Sequence, residues 1–384
     1  MKIIANSIPL SNLKTGIGRY MYNLYSAITS TGDAAPYFFN GSPATPRLSA
    51  DVNTEGWIRA TAFAWRIPDA LVFMLRSMHW WYFEHKLKTA CQRQSFDIYH
   101  ETAFVPADVT HIPVVYTIHD LSLMHHPETH PRERVWFFNY FFKRRLRYAS
   151  HILTVSEFIR SEIIHYLKMP ASRVTAIPLA ADPVFSPRPP DVVKDLLRQK
   201  GWPDAYILFA GSLEPRKNLR ALVAAIRIAK TNLPVLLTGW QGWGDKPWIH
   251  ELCQMGLADR FIFTGYVDDD TLACLYSGAS MLVYPSLYEG FGLPILEAMA
   301  CDCPVVCSNA ASMPEVAGDA AWLIAPDNPA DIAAAIDKLA GDAKIRQSLV
   351  QKGRRRVKDF SWQKTAAETL DVFKAVIHQH RNHA

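Results

Sequence analysis

The chain has 384 residues, room for two or three domains at roughly 100 to 200 residues each, and 49% of them are hydrophobic against 20% charged. That balance excludes a disordered chain and a collagen-like one. No run reaches the length of about 18 apolar residues that a membrane span needs, and Met1 to Leu10 lacks the basic head and apolar core of a signal peptide, so a cytosolic protein is expected.

The net charge of +5 is unevenly spread: residues 1–190 hold 20 Lys and Arg against 14 Asp and Glu, and residues 191–384 hold 21 against 22. The first half therefore faces something anionic. It has no Lys/Arg-rich run of 5 or more, zinc finger or helix-turn-helix pattern, which argues against nucleic acid and for an anionic membrane surface or a phosphorylated acceptor. The six cysteines (Cys91, Cys253, Cys274, Cys301, Cys303 and Cys307) fit no disulfide module and are expected to be buried thiols. Cys301, Cys303 and Cys307 run from an apolar helix into an apolar strand, so packing rather than metal is their expected role.

In chain order, Lys2–Ile4 reads as a strand, Gly18–Ser30 as a helix, and Asp97–His100, Pro113–Ile118 and His151–Val155 as strands, the last feeding a helix from Ser156. Short apolar runs alternating with helices imply a parallel sheet, where function sits at the carboxyl ends of strands. The turn-rich Phe185–Pro190 stops this pattern and marks a domain boundary. Alternation restarts with strands Tyr206–Ala210, Pro234–Thr238, Arg260–Thr264, Met281–Tyr284 and Val305–Ser308, and with helices Asn218–Lys230, Asp270–Gly278, Pro294–Cys301 and Pro329–Ala340. The expected domains are thus 1–184 and 185–361, both Rossmann-like. The amphipathic stretch Trp362–His378 has no strand after it and is expected to return to the first domain. Leu71–Phe83 and Trp136–Arg147 are aromatic and basic, which suits either a membrane interface or two core helices with snorkelling ends.

Four segments could carry chemistry. Between strand Met281–Tyr284 and a helix opened by Pro294 lies the glycine-rich Ser286–Glu297, in which free helix amides build an anion site and Glu289 and Glu297 are expected to converge on one ligand. Gly211–Asn218 also joins a strand to a helix, and its Arg216 and Lys217, read as opening that helix, oppose the helix dipole unless an anion arrives. A diphosphate is such an anion. Thr15–Tyr20 forms a glycine-containing first turn, but Met21 stands where a dinucleotide fingerprint needs glycine. His119-Asp120 closes a first-domain strand. Asp268–Asp270 allows a metal-binding acidic triplet or a helix cap, and the cap explains it without a ligand. No metal site is expected.

In this order these segments, with Thr117–Asp120 and Val155–Glu157, resemble the retaining nucleotide-sugar glycosyltransferases of family 4, which place two facing Rossmann domains in the GT-B fold. The resemblance covers nearly the whole chain. It implies that Lys217 and Arg216 hold the donor diphosphate, that Glu297 takes the ribose hydroxyls, and that Glu289 with the amides of Phe291, Gly292 and Leu293 holds the donor sugar. It further implies that His119 lies over that sugar, that Gly16 approaches the phosphates, and that Tyr266 and Val267 border the base. Many members carry Arg where this chain has Ser212, so the second phosphate cation falls to Arg216 or comes from elsewhere. The implied reaction is hexosyl transfer with retention and without cofactor or metal, GDP-mannose being the favoured donor, onto a glycan or lipid-linked glycan of a cell-surface polysaccharide such as lipopolysaccharide. The protein would be cytoplasmic and extend to the inner membrane face. The competing readings are a metal-dependent transferase on Asp268–Asp270 and a non-catalytic sugar-nucleotide binder.

Overall fold

A computed structural model of the protein describes residues 1–11, 15–48, 67–109, 111–240, 242 and 247–383. The chain divides into two compact units, Met1–Leu179 with Ser361–Ala384, and Ala180–Phe360. Among the described residues each contains one six-stranded parallel sheet.

In the first unit β1 (Lys2–Asn6), β2 (Ala35–Phe39), β3 (Ile98–Glu101), β4 (Val114–Ile118), β5 (His151–Thr154) and β6 (Val174–Ala176) lie in the order β2-β1-β3-β4-β5-β6. Strands β3 and β4 are buried along their whole length. Both faces of a parallel sheet are covered by helices, so such strands read as unbroken apolar runs rather than alternating ones. The helix after β1 spans Gly16–Thr31; Thr15 Oγ1 accepts from the Gly18 amide at its start, and Gly32 closes it at φ 74°. The final helix, Trp362–His383, packs against it and completes this unit. Thr365 fastens that helix by donating its hydroxyl to the Pro178 carbonyl at 2.7 Å.

In the second unit β7 (Ile207–Ala210), β8 (Val235–Thr238), β9 (Phe261–Gly265), β10 (Met281–Tyr284), β11 (Val305–Ser308) and β12 (Ala321–Ile324) lie in the order β12-β11-β10-β7-β8-β9. Its core packs Ile207, Phe209, Val283 and Val306 of the sheet against Leu222, Ile226, Ile332 and Ile336 of the flanking helices. The strand order reverses direction between β7 and β10, and between β1 and β3 in the first unit. At such switch points the loops leaving the two carboxyl ends diverge and open a crevice.

Five thiols are buried as expected, but Cys253, in the helix Pro247–Gln254, is exposed. Burial pushes the Cys301 and Cys307 thiols up to about 12. That suits apolar packing and makes a thiolate at neutral pH unfavourable.

Candidate active site

The loops after β7 and β10 flank the switch point of the second unit, and they are tied to each other. The Leu287 amide donates to the Arg216 carbonyl at 2.9 Å. Asn218, in the left-handed region at φ 60°, donates its amide to the carbonyls of Pro285 at 3.0 Å and Pro326 at 2.7 Å. Its side chain therefore does the joining that a helix cap would otherwise do locally.

Arg216 and Lys217 do not open the helix, as the sequence suggested. They occupy a 3-10 turn, Pro215–Lys217, and the helix proper is Leu219–Ile228. Nor do they wait for an anion. Lys217 Nζ lies 2.5 Å from Glu289 Oε1 and 2.7 Å from the Tyr284 hydroxyl, while Arg216 bonds Glu289 Oε2 at 2.9 Å and Glu214 Oε1 at 2.8 Å. The Tyr284 hydroxyl also donates to Glu289 Oε1 at 2.8 Å. Burial alone would raise the Glu289 carboxyl, but the charges of Arg216 and Lys217 overcome it and bring it down to about 2. The group carries two cations against two carboxylates, buried or nearly so. It is electrostatically satisfied as it stands.

Glu297 is the fifth residue of the helix Leu293–Ala300, past its first turn, and its Oε2 accepts from the Tyr276 hydroxyl at 3.0 Å. The two glutamates thus take different protein partners, Glu289 the two cations and Glu297 the Tyr276 hydroxyl. Both are nearly buried, at 7% and 5% exposure, so neither is an idle surface acid. Between them, Ser312 Oγ lies 2.8 Å from the Glu289 carbonyl and 3.0 Å from the Phe291 carbonyl. A trans peptide sets its N–H opposite its C=O, so the Gly292 amide points away from Ser312. Gly292 has φ 103° and caps the helix, giving the close turn that a side chain would resist.

Ser212 follows Gly211 at the end of β7 and is half-buried, as are Tyr266 and Val267 after β9. Gly211 and two glycines the sequence reading passed over, Gly239 and Gly265, follow or close β7, β8 and β9, and backbone bonds link the Gly211 amide to Thr238 and the Gly239 amide to Gly265. Tyr284, Tyr276, Glu214 and Ser312 were passed over as well. Tyr284 looks like any last residue of a core strand, Glu214 stands inside the Gly211–Asn218 motif without a role given to it, and Tyr276 and Ser312 lie outside the motifs.

In the first unit, His119 follows β4 and its Nε2 lies 2.8 Å from the Thr102 carbonyl, with the Tyr20 ring edge-on at 4.8 Å. Burial holds its imidazole below the ordinary range. Gly16 is exposed as the first residue of its helix. Of the acidic triplet, Asp268 accepts from the Thr271 amide at 2.7 Å as a helix cap, and Asp270 pairs with Arg188 at 2.8 Å. Among the described residues, no group of three or more His, Cys, Asp or Glu is arranged as a metal ion would need.

Two Rossmann-like units, each with its polar side chains gathered at the carboxyl ends of the strands, define a two-domain glycosyltransferase of the GT-B fold. Residues 14–185 match the profile of Glycosyltransferase Family 4, and residues 194–356 match Glycosyl transferases group 1. The chain is 35% identical to the O-antigen chain mannosyltransferase B of Escherichia coli, across 97% of this chain and 100% of that one. It is 30% identical to the MMP alpha-(1->4)-mannosyltransferase of Mycolicibacterium hassiacum, across 75% of this chain and 72% of that one. The sucrose-phosphate synthase of Thermosynechococcus elongatus shares the fold with a TM-score of 0.74 at 20% identity, covering 99% and 100% of the two chains. The chain belongs to glycosyltransferase family 4.

Proposed function

We propose that the protein is a retaining mannosyltransferase that moves mannose from GDP-mannose onto a glycan or lipid-linked glycan in the synthesis of a cell-surface polysaccharide. The reading is carried by the end-to-end similarity to an O-antigen chain mannosyltransferase. The geometry supports the chemistry. Departure of a nucleoside diphosphate needs cations placed before the charge develops, and Arg216 and Lys217 are held in place by Glu289, Glu214 and Tyr284. In this assignment they stabilise the leaving diphosphate, Glu297 binds the ribose, and Glu289, released from the cations, turns to the sugar. The amides of Phe291, Gly292 and Leu293 assist it, Ser212 and Gly16 border the phosphates, and Tyr266 and Val267 border the base. His119 serves the hexosyl group. No cofactor or metal is required.

Two helices of the first unit add a membrane surface to this reading. Helix Asp69–Arg93 buries Trp80, Phe83 and Leu87 yet exposes Leu71, Met74, Leu75, Met78, Trp81 and Tyr82, and helix Arg132–Arg145 exposes Trp136 and Tyr140. Of their acids, Glu84 and Glu133 are buried against Arg145 and Arg76 and Asp69 is half-buried at the start of the first helix, whereas Lys86, Arg132, Lys143 and Arg144 face solvent. An apolar stripe beside unopposed cations suits an anionic lipid surface. Among the described residues, no helix is long and apolar enough to cross a membrane.

The test is transfer by the purified protein from a panel of GDP-, UDP- and dTDP-sugars in the presence of EDTA. The expected outcome is an α-linked mannosyl product from GDP-mannose. A rate abolished by EDTA and restored by manganese, or preference for another donor, rejects the corresponding part.

A further inference from the structure

The first unit has its own switch point, between β1 and β3, and a buried carboxylate sits there that no step above uses. Glu101, the last residue of β3, is wholly buried. Its Oε1 accepts from Asn6 Nδ2 at 2.8 Å and from the amides of Ala103 and Phe104 at 3.1 Å each, and its Oε2 accepts from the Tyr99 hydroxyl at 2.5 Å. All four partners donate, so the group serves as an acceptor only. A buried carboxylate without such partners would be severely unfavourable, and four donors mark a built site rather than a stray acid.

What the four bonds hold is a turn of chain with Thr102 at its centre. The amides captured by Glu101 belong to the two residues after Thr102, and the Thr102 hydroxyl donates to the Asn6 carbonyl at 2.7 Å. The Thr102 peptide is thus gripped on both sides, and its carbonyl is presented to His119 Nε2 at 2.8 Å. A carbonyl only accepts, so Nε2 must carry the ring proton, and in the uncharged ring Nδ1 then bears a lone pair. Which nitrogen of a histidine is protonated is set by the partner of the other, and here that partner is fixed from a different strand.

We propose that Glu101 is a positioning residue for His119: by capturing the Ala103 and Phe104 amides it aims the Thr102 carbonyl at Nε2, and so fixes the Nε2–H tautomer with Nδ1 as a hydrogen-bond acceptor. In transfer, His119 would then accept a hydrogen bond from a hydroxyl at Nδ1 rather than donate one. This consequence rests on the role given to His119 above; the tautomer itself does not.

The experiment uses the full-length protein labelled with 15N at histidine. Two-bond proton–nitrogen spectra report the tautomer of each ring, and the His119 signals are assigned by their loss in His119→Ala. The native protein and Glu101→Gln, whose side-chain oxygen can still receive the Asn6, Ala103 and Phe104 donors, should both show the Nε2–H pattern. Glu101→Leu should show a mixed or Nδ1–H pattern and a kcat lower by about tenfold or more, with GDP affinity within about twofold of native. An Nδ1–H or doubly protonated His119 at neutral pH in the native protein overturns the proposal, and needs no variant to fold. So does a native pattern in folded Glu101→Leu, or loss of the Nε2–H pattern in Glu101→Gln. A native rate for His119→Ala instead overturns the role of His119 in transfer, leaving the spectra to decide the link from Glu101.

Discussion

Lys217 and Glu289, 72 positions apart, meet at 2.5 Å beneath the Tyr284 hydroxyl. Neither is more than a tenth exposed, so Lys217 would be left without a carboxylate if Glu289 were lost, and Glu289 would be left to Arg216 alone if Lys217 were lost. Removing one partner of such a pair costs about 3 to 5 kcal/mol, whereas removing both costs far less. Lys217→Met, which leaves Glu289 paired with Arg216, should therefore lower the unfolding free energy of its unit by about 3 kcal/mol, the lower end of that range. Adding Glu289→Gln should recover part of the loss, although neither variant transfers sugar at the native rate. Denaturant unfolding of both single variants and the double variant measures the coupling.

The same pair separates the roles of the two glutamates. Because Glu289 occupies the cations in the absence of nucleotide, Glu289→Gln should leave affinity for GDP unchanged or stronger while turnover falls sharply. Glu297, held by Tyr276 instead, should behave in the opposite way. Loss of charge-assisted hydrogen bonds worth about 1.5 to 3 kcal/mol makes Glu297→Ala bind GDP roughly tenfold or more weakly. Calorimetric titration beside initial rates at saturating donor tests both, and weaker GDP binding by Glu289→Gln would contradict the release of Glu289 from the cations.

Gly239 supports the site from behind. It has φ 138°, and a Cβ on it would stand 2.0 Å from the Gly211 carbonyl oxygen, which is backbone and cannot swing aside. Gly239→Ala should destabilise by about 3 kcal/mol or more and displace the Gly211–Asn218 loop with it. Gly256, at φ 65° with open space around it, is the control, and its alanine variant should cost only about 1 kcal/mol. Thermal unfolding of the two variants gives the comparison.

Much of this fold is legible in the sequence because local chemistry and tertiary need agree. Ile207–Ala210 and Met281–Tyr284 are apolar throughout and buried throughout, and Thr15, Ser156 and Asp268 announce the helices that they cap. Legibility fails where only tertiary contact decides. β2 carries Pro36, which suits an edge strand, and β6 has three residues, too few for a pattern. Helix Ala343–Arg356 is so rich in charge that its apolar side is thin, with Leu349 and Gly353 the buried positions. At the site, the motif residues could be named, but the partners of Arg216 and Lys217 could not. Glu289 lies in another loop, and only the switch-point topology brings the two loops together.

The two units should also differ in their response to acid, and the sign follows from which form is buried. His100 is wholly buried, bonded to the Tyr25 and Thr117 hydroxyls at 2.7 and 2.8 Å, and burial brings its imidazole from 6.5 down to about 3. The unfolded chain therefore binds the proton first, and the first unit should lose stability as pH falls through 6.5 toward 3. Burial of His151, which brings it to about 4, adds to the same window. In the second unit the buried carboxyl among those depressed is Glu289, at about 2 against an ordinary 4.5, so its contribution is complete above pH 4.5 and is lost between there and about 2. That contribution is on the order of 3 kcal/mol, as 1.36 kcal/mol per pH unit gives. Urea unfolding followed from pH 7.5 to 4.5 should thus show the first unit weakening while the ion pairs of the second still hold. His100→Gln should flatten the early loss and Glu289→Gln the late one. A Glu289→Gln variant that removes the loss between pH 6.5 and 4.5 would show that the depressed imidazoles are not its cause.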